Sequence, residues 1–452
     1  MKRMQTIRQL FSTMSGRSAQ ATKHIVISLV AKGIGILCSL LVVPMTIEYV
    51  NPSQYGIWMA VSSIVGWIAF FDLGLANGFR NKFAEARARQ DDQLAREYVS
   101  TTYFTLGIIA CILLPAIMIA NHFLDWSSIL KVDSGLKEEL RLVFAILSAF
   151  FCINLVANTF SVLLTANQQP GYASLINCLG QVLSLIAIFI LTRTTTGSLL
   201  NLSLYFAGIP CIVLMVCSII AFQSTAYRTF SPRFRLVKVS LIRGILGKGI
   251  QFFIICLSMI LIFQVSNIVL SREIGPLSVT QYNIANKYFN ILYMVMIIII
   301  TPFWSAFTDA YTKKDTQWMR QTVSRMERVW LVSVGVALLM LAGASLFYKV
   351  WIRDSVTIPF ILSVAMAVFV LTHSLGDLYM YMINGIGTIR VQLITYVLFA
   401  LFAWPCLVWS CRLLGVYGVV LFPSLVYIVQ AVLGKIQLTK LMSGRAAGIW
   451  LK

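Results

Sequence analysis

Apolar residues run along this chain in blocks of about twenty, separated by short polar breaks. Twelve blocks can be marked, at 25–47, 55–75, 99–120, 142–165, 172–191, 200–222, 249–270, 279–300, 329–351, 359–382, 391–413 and 415–438. A helix rises ~1.5 Å per residue, so each block is long enough to cross a hydrocarbon layer ~30 Å thick. Only a tight turn near Gly415 separates the last two. The pattern predicts an all-α integral membrane protein, since a helix satisfies its own backbone where no water can.

Ahead of the first block, residues 1–23 are basic, and Ile7, Leu10, Phe11 and Met14 fall at helical spacing. This predicts a cytoplasmic amphipathic helix lying in the membrane interface. The block after His24 is too long for a signal peptide, and no small-residue cleavage site follows it. A second pattern divides the chain. The stretch DLGLANGFRNKFAEARARQ, Asp72 to Gln90, closes one apolar block with an acid, a glycine turn and charges of both signs. TPFWSAFTDAYTKKDTQWMRQ, Thr301 to Gln321, does something similar in the other half. Pro52 and Pro276 lie 224 positions apart and Tyr55 and Tyr282 lie 227 apart, against a half-length of 226.

These offsets predict an internal repeat of six helices. Six is even, so both copies enter the membrane from the same side. The expected architecture is therefore twelve transmembrane helices in two six-helix halves, related by a pseudo-two-fold along the membrane normal, with a central cavity between the lobes. The expected domains are a cytoplasmic N-terminus (1–23), an N-terminal lobe (24–222), a basic, proline-broken cytoplasmic linker (223–244), a C-terminal lobe (245–438) and a cytoplasmic tail (439–452).

Composition agrees. Hydrophobic residues make up 59% of the chain and charged residues 12%, with mean hydropathy +0.83. Soluble domains carry about a quarter charged residues. The net charge of +20 follows from topology. With the N-terminus inside, 26 of the 36 Lys and Arg residues fall on the inner segments, which places both termini in the cytoplasm. The same charges attract anionic membrane lipids. No basic folded face with interleaved aromatics suggests a nucleic-acid partner. The nine cysteines lack a CxxC spacing and read as apolar packing residues, so no metal centre is expected. There is no GxxxxGK[ST], no HExxH and no GxSxG, and only three histidines. No catalytic residue, enzyme activity or cofactor is expected.

Polar residues inside the blocks are the candidates for function, because a charge at mid-membrane costs ~2.5–3.5 kcal/mol on insertion scales. Asn283, Asn286, Lys287 and Asn290 share one helical stripe, a reading that favours a cavity lining. Asn154 and Asn158 lie one turn apart, as do His373 and Asp377. Lys32 stands inside the first block and Asp72 ends the second. The asparagines, with Gln181 and Gln264, fit interhelical hydrogen bonds as well as a cavity. Lys32 fits either a cavity or a snorkelling side chain.

The stretch PMTIEYVNPSQYGIWMAVSSIVGWIAFFDLGLANGFRNKFAEA, Pro44 to Ala86, resembles the polysaccharide transporter family. These are the Wzx-type O-antigen flippases of the multidrug/oligosaccharidyl-lipid/polysaccharide exporter superfamily. The carrying residues are Tyr55, Gly56, Asp72, Gly74, Gly78 and Arg80. The resemblance implies a flippase of the bacterial inner membrane. It would move an undecaprenyl-pyrophosphate-linked oligosaccharide, an O-antigen or other surface polysaccharide repeat unit, to the outer leaflet by alternating access. It also implies a polysaccharide polymerase and chain-length proteins as partners. Lys32, Lys287 and Arg80 would then meet the pyrophosphate. Asp72, Asp377 and His373 are candidates for coupling to a proton or sodium gradient. The alternative is a cation-coupled small-molecule antiporter of the same fold. Related cation exporters often have an acid within the first helix, whereas here the only acid there, Glu48, lies at the outer end, just past the first block.

Overall fold

A computed structural model describes residues 16–451 except 73, 226, 247–253, 256, 302, 304–306, 308, 309, 312 and 354. The amphipathic helix expected at 1–23 therefore lies largely outside the described residues. The described chain forms helices α1 (Gly16–Val50), α2 (Pro52–Gly66), α3 (Leu75–Ala88), α4 (Asp92–Phe123), α5 (Trp126–Leu130), α6 (Lys137–Ala166), α7 (Pro170–Thr194) and α8 (Leu199–Gln223). It continues with α9 (Val239–Leu246), α10 (Ser266–Glu273), α11 (Pro276–Ile300), α12 (Thr316–Ile352), α13 (Phe360–Ile386), α14 (Arg390–Leu414) and α15 (Gly418–Met442).

Among the described residues, nine stretches are long and apolar enough to cross a membrane. The last of them, Arg390–Met442, holds both α14 and α15, broken at Gly415 where φ is 72°. Block 55–75 is split. Its α2 covers only ~22 Å at helical rise, and a tighter 3-10 turn, Trp67–Asp72, carries the chain further. In block 249–270 the described part contains a π turn, Ile260–Gln264, ahead of α10.

Packing has the polarity of a protein in lipid. On α12, Leu338, Leu339, Leu346 and Val350 are exposed, while Ser333, Ala337 and Ala344 are buried. Small residues turned inward let helix backbones approach closely, and the large aliphatic ones face outward. The chain sorts into two compact units. One comprises Met1–Tyr49, Val65–Asp125 and Glu138–Ile250, the other Val50–Ile64, Trp126–Lys137 and Gln251–Lys452.

The first unit's core gathers Phe79 and Phe83 of α3, Val99 of α4, and Phe160 and Leu163 of α6. Gly78 sits where α3 meets α9. A Cβ there would fall 1.8 Å from the Ile245 carbonyl oxygen, so a side chain would push the helices apart. The basic segment after α8 is fastened along α4. Arg96 Nε donates to the Ser231 carbonyl at 3.0 Å, the Ser100 hydroxyl accepts from Arg233 N–H at 3.0 Å, and Thr101 Oγ1 accepts from Lys238 N–H at 3.1 Å. Lys238 Nζ also pairs at 2.7 Å with Glu97, which is buried.

The second unit's core joins Met296 and Ile300 of α11 to Leu378 and Met382 of α13 and Leu438 of α15. The two proline turns that echo each other in sequence both start helices, α2 and α11, where proline's missing N–H is harmless. They also touch. Thr280 Oγ1 donates to the Pro52 carbonyl at 2.6 Å, and a Cβ on Gly56 would fall 1.9 Å from the Pro276 carbonyl oxygen.

Candidate functional site

Three of the sequence-selected residues come together in the first unit. Asp72, Asn154 and Asn158 line one cleft of about 90 Å³ with Phe79, Thr102, Phe151 and Thr159. The helical repeat of α6 explains half of it. Phe151, Asn154, Leu155, Asn158, Thr159 and Val162 recur at intervals of three and four, so all face one way. The opposite wall is made where α2 tightens into its 3-10 turn and the chain reverses at Gly74, whose φ of 77° is left-handed. Asp72 Oδ1 accepts from the Gly74 N–H at 2.9 Å, which fixes the carboxylate at the start of α3. The amides of Asn154 and Asn158 are exposed and hold no hydrogen bond within the described protein. Thr159 is 3% exposed and its hydroxyl also lacks a protein partner.

Polar groups in the second unit are arranged differently. The stripe on α11 divides. Asn283 is buried, its Nδ2 donating to Asn267 Oδ1 at 3.0 Å and to the Val279 carbonyl at 2.8 Å. Asn286, Lys287 and Asn290 are half-buried. Further along α11, Tyr293 O–H donates to Asp377 Oδ2 at 2.7 Å, and His373 Nε2 lies 3.4 Å from the same oxygen. The imidazole is sandwiched. Its centroid is 3.9 Å from the Tyr293 ring, 17° from parallel, and 4.1 Å from the Tyr427 ring, 22° from parallel. One carboxylate and one imidazole thus link α11, α13 and α15.

Lys32 is exposed on α1 and Arg80 is exposed on α3. Neither lines the cleft. Sequence reasoning missed Thr159, Phe151, Tyr293 and Tyr427. Tyr293 had a signal, because it extends the Asn283–Asn290 stripe by three positions. Thr159 and Phe151 had none, being ordinary residues of an apolar helix.

A sequence model described as polysaccharide biosynthesis protein matches residues 21–306. A protein of Salmonella typhimurium named for O-antigen transport is 20% identical over 303 residues, covering 67% of this chain and 66% of the relative. One of Yersinia pseudotuberculosis named for O-antigen export is 20% identical over 302 residues, covering 64% of this chain and 66% of the relative. The matched region is thus just under two thirds of the length of these relatives. Among solved structures, an inward-facing multidrug resistance MATE family transporter of the MOP superfamily aligns with TM-score 0.71 at 17% identity, covering 93% of this chain and 100% of the other. A MOP superfamily transporter from Pyrococcus furiosus, whose binding pocket is described as reversed in polarity, aligns with TM-score 0.59 at 17% identity over 93% of this chain and 96% of the other. These relatives and neighbours are transporters and not enzymes. At such identity the structural likeness concerns the fold, which is that of a MOP-type, multi-pass membrane transporter.

Proposed function

The chain belongs to the polysaccharide biosynthesis protein family, and from that premise we propose that it is a flippase for lipid-linked oligosaccharide. The cargo is an undecaprenyl-pyrophosphate-linked repeat unit, carried from the inner to the outer leaflet of a bacterial inner membrane by alternating access. The observation that carries this reading is the sign of the charges within the spans. Lys32 stands within the stretch Val26–Val50 and Lys287 within Pro276–Ile300, while the only acid in the first stretch is Glu48, two residues from its end. Cations held at that depth suit an anionic pyrophosphate and repel an organic cation. The names of the O-antigen relatives support the same cargo. In this reading a coupling proton sits at Asp377 and His373, where the Asp377 Oδ2 that accepts from the Tyr293 O–H lies 3.4 Å from His373 Nε2.

Deleting the gene in a strain without a second flippase should leave lipid-linked repeat units on the cytoplasmic face. Lectin labelling of intact spheroplasts reads this directly, and units that still reach the outer leaflet overturn the proposal. In complementation, Lys32→Ala and Lys287→Ala should each lower translocation with membrane insertion unchanged. A second reading, export of a small organic cation, is favoured by the Asp72 carboxylate in the cleft. Proteoliposomes that accumulate ethidium against a proton or sodium gradient would establish it.

A further inference from the structure

We infer that the cleft of the first unit is a subsite for a single neutral sugar ring of the cargo, its hydroxyls read by Asp72, Asn154, Asn158 and Thr159. This deepens the flippase reading and rests on it. Thr159 is buried at the edge of this cleft. Its buried hydroxyl has no partner in the described protein, a state that costs ~1–3 kcal/mol and that a ligand hydroxyl would relieve. Thr159 borders the cleft next to two exposed asparagine amides that the described protein leaves without hydrogen bonds.

The donor and acceptor types then select the occupant. Each asparagine offers two N–H donors and an oxygen acceptor, the threonine offers one of each, and the carboxylate only accepts. A sugar hydroxyl donates once and accepts as well, so a ring carrying several of them can use the whole set. Asp72 is already anchored by the Gly74 N–H, so it presents a fixed acceptor. Phe151 adds an apolar wall for the C–H face of a ring. Among the described residues no lysine or arginine lines the cleft, which argues against the pyrophosphate as its occupant. A bare cation needs oxygens converging within ~2.5 Å of one point. The cleft is larger than that, at about 90 Å³ against the ~10–15 Å³ that one water needs.

The test uses the purified full-length protein in lipid nanodiscs and saturation-transfer NMR with methyl hexopyranosides at about 10 mM, a range suited to a weak single-ring contact. Ring protons should take up saturation from the wild type. In the Asn154→Ala/Asn158→Ala double variant binding should weaken about tenfold or more, the loss expected for removed hydrogen bonds. Thr159→Val, nearly the same shape without the hydroxyl, should weaken it several-fold while eluting from a sizing column like wild type. No saturation transfer to any glycoside, or equal transfer in the wild type, the double variant and Thr159→Val, overturns the inference. A sodium-23 NMR signal of bound sodium that the double variant abolishes, with glycosides silent, overturns it in favour of a cation site. Translocation in cells is a separate readout. If it persists in the double variant while the glycoside result is negative, only the subsite falls. If the wild type does not translocate, the transport reading falls even with glycosides bound.

Discussion

In the second unit, Asp377 accepts from Tyr293 at 2.7 Å, His373 lies stacked between two tyrosines, and Asn283 is hydrogen-bonded to Asn267. In the first unit, Asn154 and Asn158 have no such partners, and the Thr159 hydroxyl is buried beside them unsatisfied. Asn283, Tyr293, His373 and Asp377 in one unit, and Asn154, Asn158 and Thr159 in the other, sit on span-length helices, where leaving a polar group to lipid is costly. The contrast separates two uses of polarity in a membrane. Where side chains satisfy each other they fix helices together. Where they point into an opening with nothing of their own to bond, they await something brought in. Asn283 and Asn154 are indistinguishable by residue type and by setting in an apolar block, yet they fall on opposite sides of this divide.

The contrast is broken or sharpened by comparing stabilities. The largest loss is expected at Asp377→Ala, which removes the acceptor for Tyr293 and the neighbour of His373 together. About 1–3 kcal/mol is expected, because two half-buried partners lose their mate at once. Thermal unfolding in detergent should register it, with Asp377→Asn retaining most of the stability. If Asp377→Ala melts like wild type, the second unit's network is not structural and the contrast fails.

Next in size is Lys238→Ala. It strands Glu97, 4% exposed, against the core of the first unit. The partner lysine is half in water, so the expected loss is ~1–3 kcal/mol rather than that of a fully enclosed pair. The double variant Glu97→Gln/Lys238→Ala should recover part of it, which a double-mutant cycle measures.

Asn154→Leu and Asn158→Leu come third, and here the sign is the point. Replacing an amide that holds no protein bond should leave the melting temperature unchanged or raise it, while translocation falls. A melting loss as large as that of Asp377→Ala would show that these amides are structural after all, and that the two units do not differ.

Part of this was legible in the sequence. The apolar blocks locate the helices because lipid demands long uninterrupted hydrophobicity. The stretch from Asp72 to Arg80 is legible because an acid and two glycines break an apolar block there, and Gly74 and Gly78 each have a geometric reason to be glycine. Asn154 and Asn158 stand out against an apolar helix, and their four-residue spacing gives them a common face. What spacing does not reveal is who faces them. Nothing in the sequence of α6 says that Asp72, some eighty residues earlier, closes the same cleft. Thr159 was hidden because a threonine in an apolar helix ordinarily bonds its own backbone, as Thr102 does with the Tyr98 carbonyl at 2.8 Å. The pairing of Lys238 with Glu97 was hidden for a related reason, since each charge lies in a segment that looks solvated by itself. The two proline turns were legible as an echo. That they pack against each other was not, because an echo carries no distance.

The smallest effect belongs to a third setting, the aqueous end of α3, and it calibrates the other two. Glu85 pairs with Lys82 at 3.0 Å and with Arg89 at 2.6 Å, all three well exposed. The lysine's hydrogen bond and charge, then the Arg89 charge, hold the Glu85 carboxyl below its usual range, and the same bond lifts the Lys82 ammonium above its own. The depressed carboxyl stabilises the fold at any pH above its unfolded value of about 4.3, and that contribution disappears as pH falls through the lower folded value. The raised lysine acts in the other direction. Its contribution is complete below about 10.4 and is lost as pH climbs through the higher folded value. Glu85→Gln should therefore melt slightly below wild type at neutral pH, with the gap closing in acid and also at high salt, where surface charges are screened. Asp377, enclosed by three helices, should show no such salt dependence. If the Glu85→Gln gap survived 1 M salt, the side chain would be acting through packing, and exposure would no longer separate the solvated pairs from the buried ones.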